Sequence, residues 1–279
     1  PPSLLSYLSV IRCAEWLGKP AMLYANGIGP VRRPGNRRRV KRVVERATLV
    51  TLRDHSSARE LADMGVTRSD LLVTADPVFH LAPAPAQRGM ELLAQTNLVP
   101  GKPFVAVSVR EWRDTGNFCQ ELARLCDHLS RQHGLQVLFL LMQPTRDRET
   151  ARQVQSLMEE PSSLLDVPCT PRELMAVLGQ ARLCLAMRLH TLIFAARMAV
   201  PAMGLVYDPK VDSYLKELSL PAAGHVERFD GAEAIRRADA LMADYDAVLA
   251  NLKDTSAALT RAAGKNEELL LHMLERTKH

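Results

Sequence analysis

The residues with the most chemistry to offer stand at the ends of apolar runs. Arg188 and His190 follow the run 183–187, Lys210 follows the run 202–207, and Arg110 closes the run 104–109. A guanidinium presents a planar fork of donors to a carboxylate or phosphate, an ammonium presents a compact charge, and an imidazole exchanges a proton near neutral pH. Groups of one sign gathered on one rim repel each other unless an anion lies between them. The chemistry suggested is therefore recognition of a phosphate or carboxylate. Plainer readings stand beside it. An arginine at a strand end often serves only a neighbouring carboxylate, and a histidine beside an apolar helix is commonly structural.

The elements that must position these groups can be read from the stretch 182–210. Its two apolar runs have strand length, and between them Leu189, Leu192, Ile193 and Ala196 recur at helical spacing before Pro201. This is a βαβ unit, which predicts two parallel neighbouring strands. In open parallel sheets ligands bind at the carboxyl ends of strands, where helix N-termini also present free N–H groups to anions. Arg188, His190, Lys210 and Arg110 all fall at such ends.

A second candidate site is Asn26-Gly27-Ile28-Gly29-Pro30, directly after a predicted strand over 21–25. Gly27 and Gly29 would let backbone approach a ligand closely, or would simply make a tight strand-to-loop turn. The following segment 32–42 is the most basic of the chain, with Arg32, Arg33, Arg37, Arg38, Arg39, Lys41 and Arg42. It runs into a helix whose Val40, Val43, Val44 and Ala47 lie on the other face. A solvated helix face, an anionic membrane surface and a polyphosphate acceptor all fit that pattern. Asp54-His55-Ser56 are adjacent in sequence, the wrong arrangement for a spatially assembled triad, and Asp54 or Ser56 reads as a helix N-cap. Thr170-Pro171-Arg172-Glu173 is a capping box.

Strand and helix patterns alternate along the chain, which predicts an α/β fold with mostly parallel sheets. The breakers in LAPAPAQRGM place a linker over 83–100, between a first domain over 1–82 and a second over 101–279 that ends in two helices. The chain opens on a helix feeding a strand, so the first domain is expected to lack its N-terminal part.

Composition narrows the function classes. With 47% apolar and 24% charged residues in 279, the chain is an ordinary globular protein large enough for two cores. A formal net charge of +5 favours anionic partners. Aromatics are only 5%, too few for a stacking platform for single-stranded nucleic acid, and no helix-turn-helix or finger accompanies the basic run; no nucleic-acid partner is expected. Five cysteines, odd in number and without C-x-x-C spacing, argue against a disulfide framework or zinc knuckle and for a reducing compartment. No P-loop or G-x-G-x-x-G is present, and no carboxylate cluster suggests a metal site.

The segments MRLHTLIFAA (187–196), YANGIGPV (24–31) and VYDPKV (206–211) resemble the polysaccharide pyruvyl transferase family, and its bacterial cell-wall branch in particular. The likeness extends over nearly the whole chain, and R-L-H with its apolar helix is its most specific part. The resemblance implies a fold like that of GT-B glycosyltransferases, with two Rossmann-like domains facing a cleft. It implies transfer of a pyruvyl group from phosphoenolpyruvate to a sugar of a cell-surface polysaccharide or its lipid-linked precursor, leaving a pyruvate ketal and phosphate, with no cofactor or metal. By the same resemblance Arg188 and His190 carry the donor-binding R-L-H, Lys210 helps to hold the donor, and Arg110 is a further arginine of that pocket. His190 either moves protons or only donates a hydrogen bond to phosphate. A cytoplasmic location is implied, with peripheral contact at the inner face of the cell membrane where a lipid-linked acceptor would be met.

Two other classes compete. A nucleotide-sugar glycosyltransferase shares the GT-B architecture, since fold does not fix chemistry. A non-enzymatic module that binds anionic lipid or nucleic acid through 32–42 is the other.

Overall fold

The structure, a computed structural model, describes residues 2–113 and 117–276, with side chains described from residue 6 onward. The expected outer domain limits, residues 1 and 279, lie outside the described residues. The chain forms two compact units, Pro1–His80 together with Ala258–His279, and Leu81–Ala257.

The first unit is built on a three-stranded parallel sheet of β1 (Met22–Asn26), β2 (Leu49–Leu52) and β3 (Leu72–Val73), in that order. Helices α1 (Pro2–Trp16), α2 (Pro34–Arg46) and α3 (His55–Asp63) alternate with the strands. Leu23, Val40, Val44, Val50, Leu52 and Leu61 form its core, so the valines of α2 point inward, with Arg38, Arg39 and Arg42 exposed. Asp54 is the N-cap of α3 and accepts from the Ser57 N–H at 2.7 Å. Asn266 belongs to this unit and is fully buried. It accepts from Thr74 Oγ1 at 2.8 Å and donates to the Ala75 carbonyl at 3.3 Å. Residues 258–279 therefore group with the first unit, where the sequence places them with the second.

The second unit opens with α4 (Ala86–Leu93), inside the stretch where a linker is expected. Its Gly89 meets a later helix so closely that a Cβ would come within 2.6 Å of the Ala176 carbonyl oxygen, and Arg88 pairs with Glu173 at 2.8 Å. The prolines flank this helix instead of dissolving it. Then follow β4 (Phe104–Ser108), α5 (Phe118–His133), β5 (Gln136–Leu140), α6 (Pro144–Leu157), β6 (Ser162–Leu165) and α7 (Pro171–Leu178). The central unit is β7 (Leu183–Ala186), α8 (Leu189–Arg197) and β8 (Ala202–Val206), continued by α9 (Pro209–Glu217), β9 (Ala222–His225), α10 (Gly231–Ala243) and α11 (Tyr245–Arg276).

Six parallel strands lie in the order β6-β5-β4-β7-β8-β9. Every residue of β4, β7 and β8 is buried, the reason these strands read as unbroken apolar runs. The chain winds one way from β4 through β5 to β6 and the other way from β7 through β8 to β9. The order reverses between β4 and β7, which pair from Val105↔Leu183 to Ser108↔Ala186. Connections that leave in opposite directions open a crevice at the carboxyl ends of those two strands.

Candidate functional site

Arg110, Arg188, His190 and Lys210 all lie on the carboxyl-end rim of the second unit. Arg110 follows β4, Arg188 and His190 follow β7, and Lys210 follows β8. Ser108, the last residue of β4, accepts at 3.1 Å from Thr191 Oγ1, both groups buried. That bond ties the start of α8 to the strand across the crevice.

Arg188 is the N-cap of α8 and gives that helix no side-chain cap. The Leu189 and His190 N–H groups lie in the first turn, where backbone donors have no intrahelical acceptor. The guanidinium turns to Asp147, on the first turn of α6 after β5. Nε donates to both carboxylate oxygens at 3.1 Å, and Nη2 makes a still shorter contact with Oδ1. Nη2 also donates to Gln143 Oε1 at 3.2 Å. Asp147 is fully buried and accepts in addition from the Gln143 N–H at 2.7 Å. Much of the fork of Arg188 is thus engaged by protein, and its charge is balanced locally.

Arg110 is placed differently. Its guanidinium lies 5.1 Å from the Tyr207 ring centre and 5.9 Å from that of Trp112, rings that meet edge-on at 4.7 Å. Nη1 donates to the Tyr207 hydroxyl at 3.2 Å. Its Nε is buried without a hydrogen-bond partner among the described residues. A desolvated N–H on a cation is costly, and no carboxylate among the described residues pairs with this guanidinium. Among the described residues this cation is short of an anion.

Lys210 is partly buried and its N–H is taken by Asp208, the N-cap of α9, at 2.9 Å, while its ammonium has no ion pair among the described residues. His190 is exposed, and its ring makes no hydrogen bond within the described residues. The rim thus combines one neutralised arginine, one aromatic-held arginine, a lysine, an imidazole and the N-terminus of α8.

Gly27 and Gly29 belong to the first unit. A Cβ on Gly27 would meet the Arg53 guanidinium at 2.4 Å, and Gly29 has φ 96° with Glu60 against it. Around them α3 grips the loop, with Ser57 Oγ accepting from the Ile28 N–H at 2.8 Å and Glu60 from the Val31 N–H at 3.2 Å. Arg53 bonds Asp54 and Asp76. Burial pushes the Asp54 carboxyl up, but hydrogen bonds from Ser57, Ser56 and Arg53 outweigh it and hold it below the usual range. Side chains of the protein occupy the space beside both glycines.

Sequence reasoning did not single out Asp147, Gln143, Trp112 or Tyr207. Tyr207 and Trp112 had a usable signal, since each stands within a few residues of a strand's carboxyl end. Asp147 had none, because an acid in a helix's first turn is common. The five cysteines are unpaired; two are fully buried, and burial pushes the Cys184 thiol up to about 12, which removes it as a nucleophile. No helix among the described residues is long and apolar enough to cross a membrane.

Solved structures similar to this one include HepE from Anabaena in complex with UDP-glucose, at 12% identity over 96% of this chain and 76% of that one, TM-score 0.62. Another is the UDP-GlcNAc 2-epimerase from Neisseria meningitidis bound to UDP-GlcNAc, at 12% identity over 95% and 73%, TM-score 0.63. A third is a UDP-forming trehalose-phosphate synthase from Burkholderia xenovorans, at 14% identity over 98% and 72%, TM-score 0.57. At such identities the likeness is one of fold, and that fold is GT-B. A comparison with curated proteins finds no match. The model of one family, polysaccharide pyruvyl transferase, matches residues 1–209, which cover the strand ends that carry Arg110, Arg188 and His190. The chain belongs to the polysaccharide pyruvyl transferase family.

Proposed function

We propose that this protein transfers a pyruvyl group from phosphoenolpyruvate to two hydroxyls of one sugar, releasing phosphate and leaving a pyruvate ketal. The observation that carries the reading is Arg110, whose buried Nε has no partner among the described residues and lies on the same rim as Lys210, His190 and the first turn of α8. Phosphoenolpyruvate brings a phosphate and a carboxylate to a rim where, among the described residues, Arg188 is the cation already paired with a carboxylate. In this reading Arg110 and Lys210 bind the donor's anionic groups, and the α8 N-terminus receives one of them. Arg188, already held by Asp147, offers its remaining donors from a fixed position.

The chemistry balances without a redox partner. A proton added to the methylene carbon makes a cationic centre at C2, and the first sugar hydroxyl attacks it and loses its proton. Phosphate then leaves with the C–O bonding pair, and the second hydroxyl closes the ketal. Of the two protons released, one replaces that taken up by the methyl group and the other leaves with phosphate. In this reading His190, exposed and without a hydrogen-bond partner among the described residues, supplies or collects such a proton. The acceptor is a sugar of a cell-surface polysaccharide or its lipid-linked precursor. Exposed Arg38, Arg39 and Arg42 on α2, with exposed Tyr7, Val10 and Trp16 on α1, support peripheral contact with an anionic membrane face.

A second reading is a nucleotide-sugar glycosyltransferase, favoured by the UDP-glucose complex of HepE. One experiment separates the two. The protein is incubated with phosphoenolpyruvate and a panel of sugar acceptors, and free phosphate is assayed. Acceptor-dependent phosphate release supports pyruvyl transfer, whereas consumption of a UDP-sugar that is indifferent to phosphoenolpyruvate overturns it.

A further inference from the structure

On the second unit, three side chains that play no part in the reading above converge on one point. His128 and His133 lie in the second half of α5, and Asp239 lies on α10. His128 Nε2 stands 2.8 Å from Asp239 Oδ1, and His133 Nε2 stands 2.7 Å from the same oxygen. The three ligand atoms lie within 4.8 Å of one another, and the two rings meet edge-on with centres 5.9 Å apart.

We propose that His128, His133 and Asp239 form a binding site for a divalent transition metal of the zinc class, which clamps α10 to α5. Two imidazole nitrogens and a carboxylate oxygen are the donor set that suits zinc, cobalt and nickel, and they leave a fourth position for water. Zinc takes nitrogen and oxygen ligands at about 2.0–2.2 Å, so the edges of its tetrahedron measure roughly 3.4 Å. The two nitrogen–oxygen separations, 2.8 and 2.7 Å, need to widen by about 0.6–0.7 Å to reach that geometry. In the metal-free protein each ring donates its Nε2 proton to Asp239. Metal binding moves that proton to Nδ1 and frees the Nε2 lone pair.

The surroundings keep the point open. No Lys or Arg pairs with Asp239 among the described residues, so no resident cation fills the place of the metal. Asp127, beside His128 in sequence, is turned to the backbone N–H groups of Glu159 and Glu160. Arg131 is held by the side chains of those same two glutamates. Asp239 keeps 45% of its side-chain surface exposed, which gives an ion a way in, while the histidines are about one-fifth exposed and held by packing. The site also lies away from the proposed donor rim. α5 starts after the carboxyl end of β4 and runs back to the start of β5, so His133 stands at the opposite rim of the sheet from Arg188. The metal is therefore structural, and the proposal stands or falls independently of phosphoenolpyruvate.

The test uses the whole, tag-free protein after treatment with a chelator. Zinc chloride is titrated by calorimetry, and cobalt chloride is followed by visible absorption. The expected result is one equivalent of each metal, a cobalt spectrum of tetrahedral intensity, and a melting temperature raised by a few degrees at saturating zinc. His133→Ala and Asp239→Asn should each weaken binding at least about tenfold and bleach the cobalt spectrum. Asp239→Asn keeps the shape of the side chain, so its metal-free melting curve should still be cooperative. Absence of saturable binding overturns the proposal, as does one-equivalent binding of unchanged affinity in both variants.

Discussion

Arg188 binds Asp147, a carboxylate with no exposed surface and 41 positions earlier in the chain, through both Nε and Nη2. The pair joins the end of β7 to the first turn of α6, and so fixes one wall of the rim. From sequence alone an arginine here is a donor ligand or a partner for a carboxylate. In the structure it has the carboxylate partner, with Nη1 the part of its fork that no described group engages.

That pairing predicts a stability effect. Arg188→Ala leaves Asp147 buried and uncompensated, which costs about 3–5 kcal/mol in folding free energy. Replacing both residues with apolar ones of similar volume, Arg188→Met with Asp147→Leu, should recover most of that loss. Urea unfolding of the second unit's signal measures both. If the double variant is no more stable than Arg188→Ala, the buried charge is not the cause. Loss of donor binding in Arg188→Ala has meaning only beside this control.

Acid stability offers a second measurement. Glu173 closes the capping box of α7, accepting from the Thr170 N–H at 2.8 Å, and pairs with Arg88. Those contacts hold its carboxyl at about 2, well below the ordinary 4.5. A carboxyl depressed in the folded state contributes stability above its unfolded value, and that contribution is lost as pH falls from about 4.5 through about 2. Folding free energies of wild type and Glu173→Gln, measured by denaturant at a series of pH values, should therefore differ most above pH 4.5 and converge toward pH 2. A constant difference across that window removes Glu173 from the acid response.

Much of this fold was legible because parallel strands covered on both faces have to be apolar throughout. β4, β5, β7 and β8 announce themselves that way, as does α8 by its helical spacing. β6 carries Ser162 and Ser163 and β9 reads Ala-Ala-Gly-His, so neither has the run that marks a strand. α6 begins at Pro144, and Gln143 before it gives no side-chain cap to signal the start. The rim positions of Arg110, Arg188 and Lys210 follow from local pattern plus the right-handed crossover rule. Which cation is already paired does not, because Asp147 and Arg188 are far apart in sequence and the meeting is tertiary.

The basic helix face gives a third prediction. Arg37 is part of the fold, since its Nη1 bonds Glu60 at 3.1 Å and the Val31 carbonyl at 3.3 Å. Arg38, Arg39 and Arg42 are exposed, and Arg39 and Arg42 line a concavity with Arg12 and Leu8 of α1. Changing Arg38, Arg39 and Arg42 to Ser should weaken sedimentation with vesicles rich in anionic lipid, by about 1 kcal/mol per charge near the surface, and reduce use of a lipid-linked acceptor. Use of a soluble sugar acceptor should be unchanged. Equal loss with both acceptors would mean that these arginines serve the reaction itself.

His190 decides how the rim works. It is exposed, has no hydrogen-bond partner among the described residues, and opens a helix whose first turn faces the crevice end of β7. Removing its ring leaves no buried group unpaired, so His190→Ala should melt as wild type does. If the imidazole moves a proton to or from the reacting atoms, kcat falls by roughly 100-fold or more while phosphoenolpyruvate binding changes little. If it only donates to the donor phosphate, affinity and turnover fall together. Arg110→Ala supplies the comparison, because its guanidinium carries the buried Nε that lacks a partner among the described residues. Losing that cation should lower donor affinity by about ten- to a hundredfold, and Arg110→Lys should restore only part, since an ammonium keeps the charge without the planar fork. Calorimetry with phosphoenolpyruvate and phosphate-release kinetics on the same preparations give both quantities. Wild-type affinity and turnover in a well-folded Arg110→Ala, His190→Ala double variant would move the donor site away from this rim.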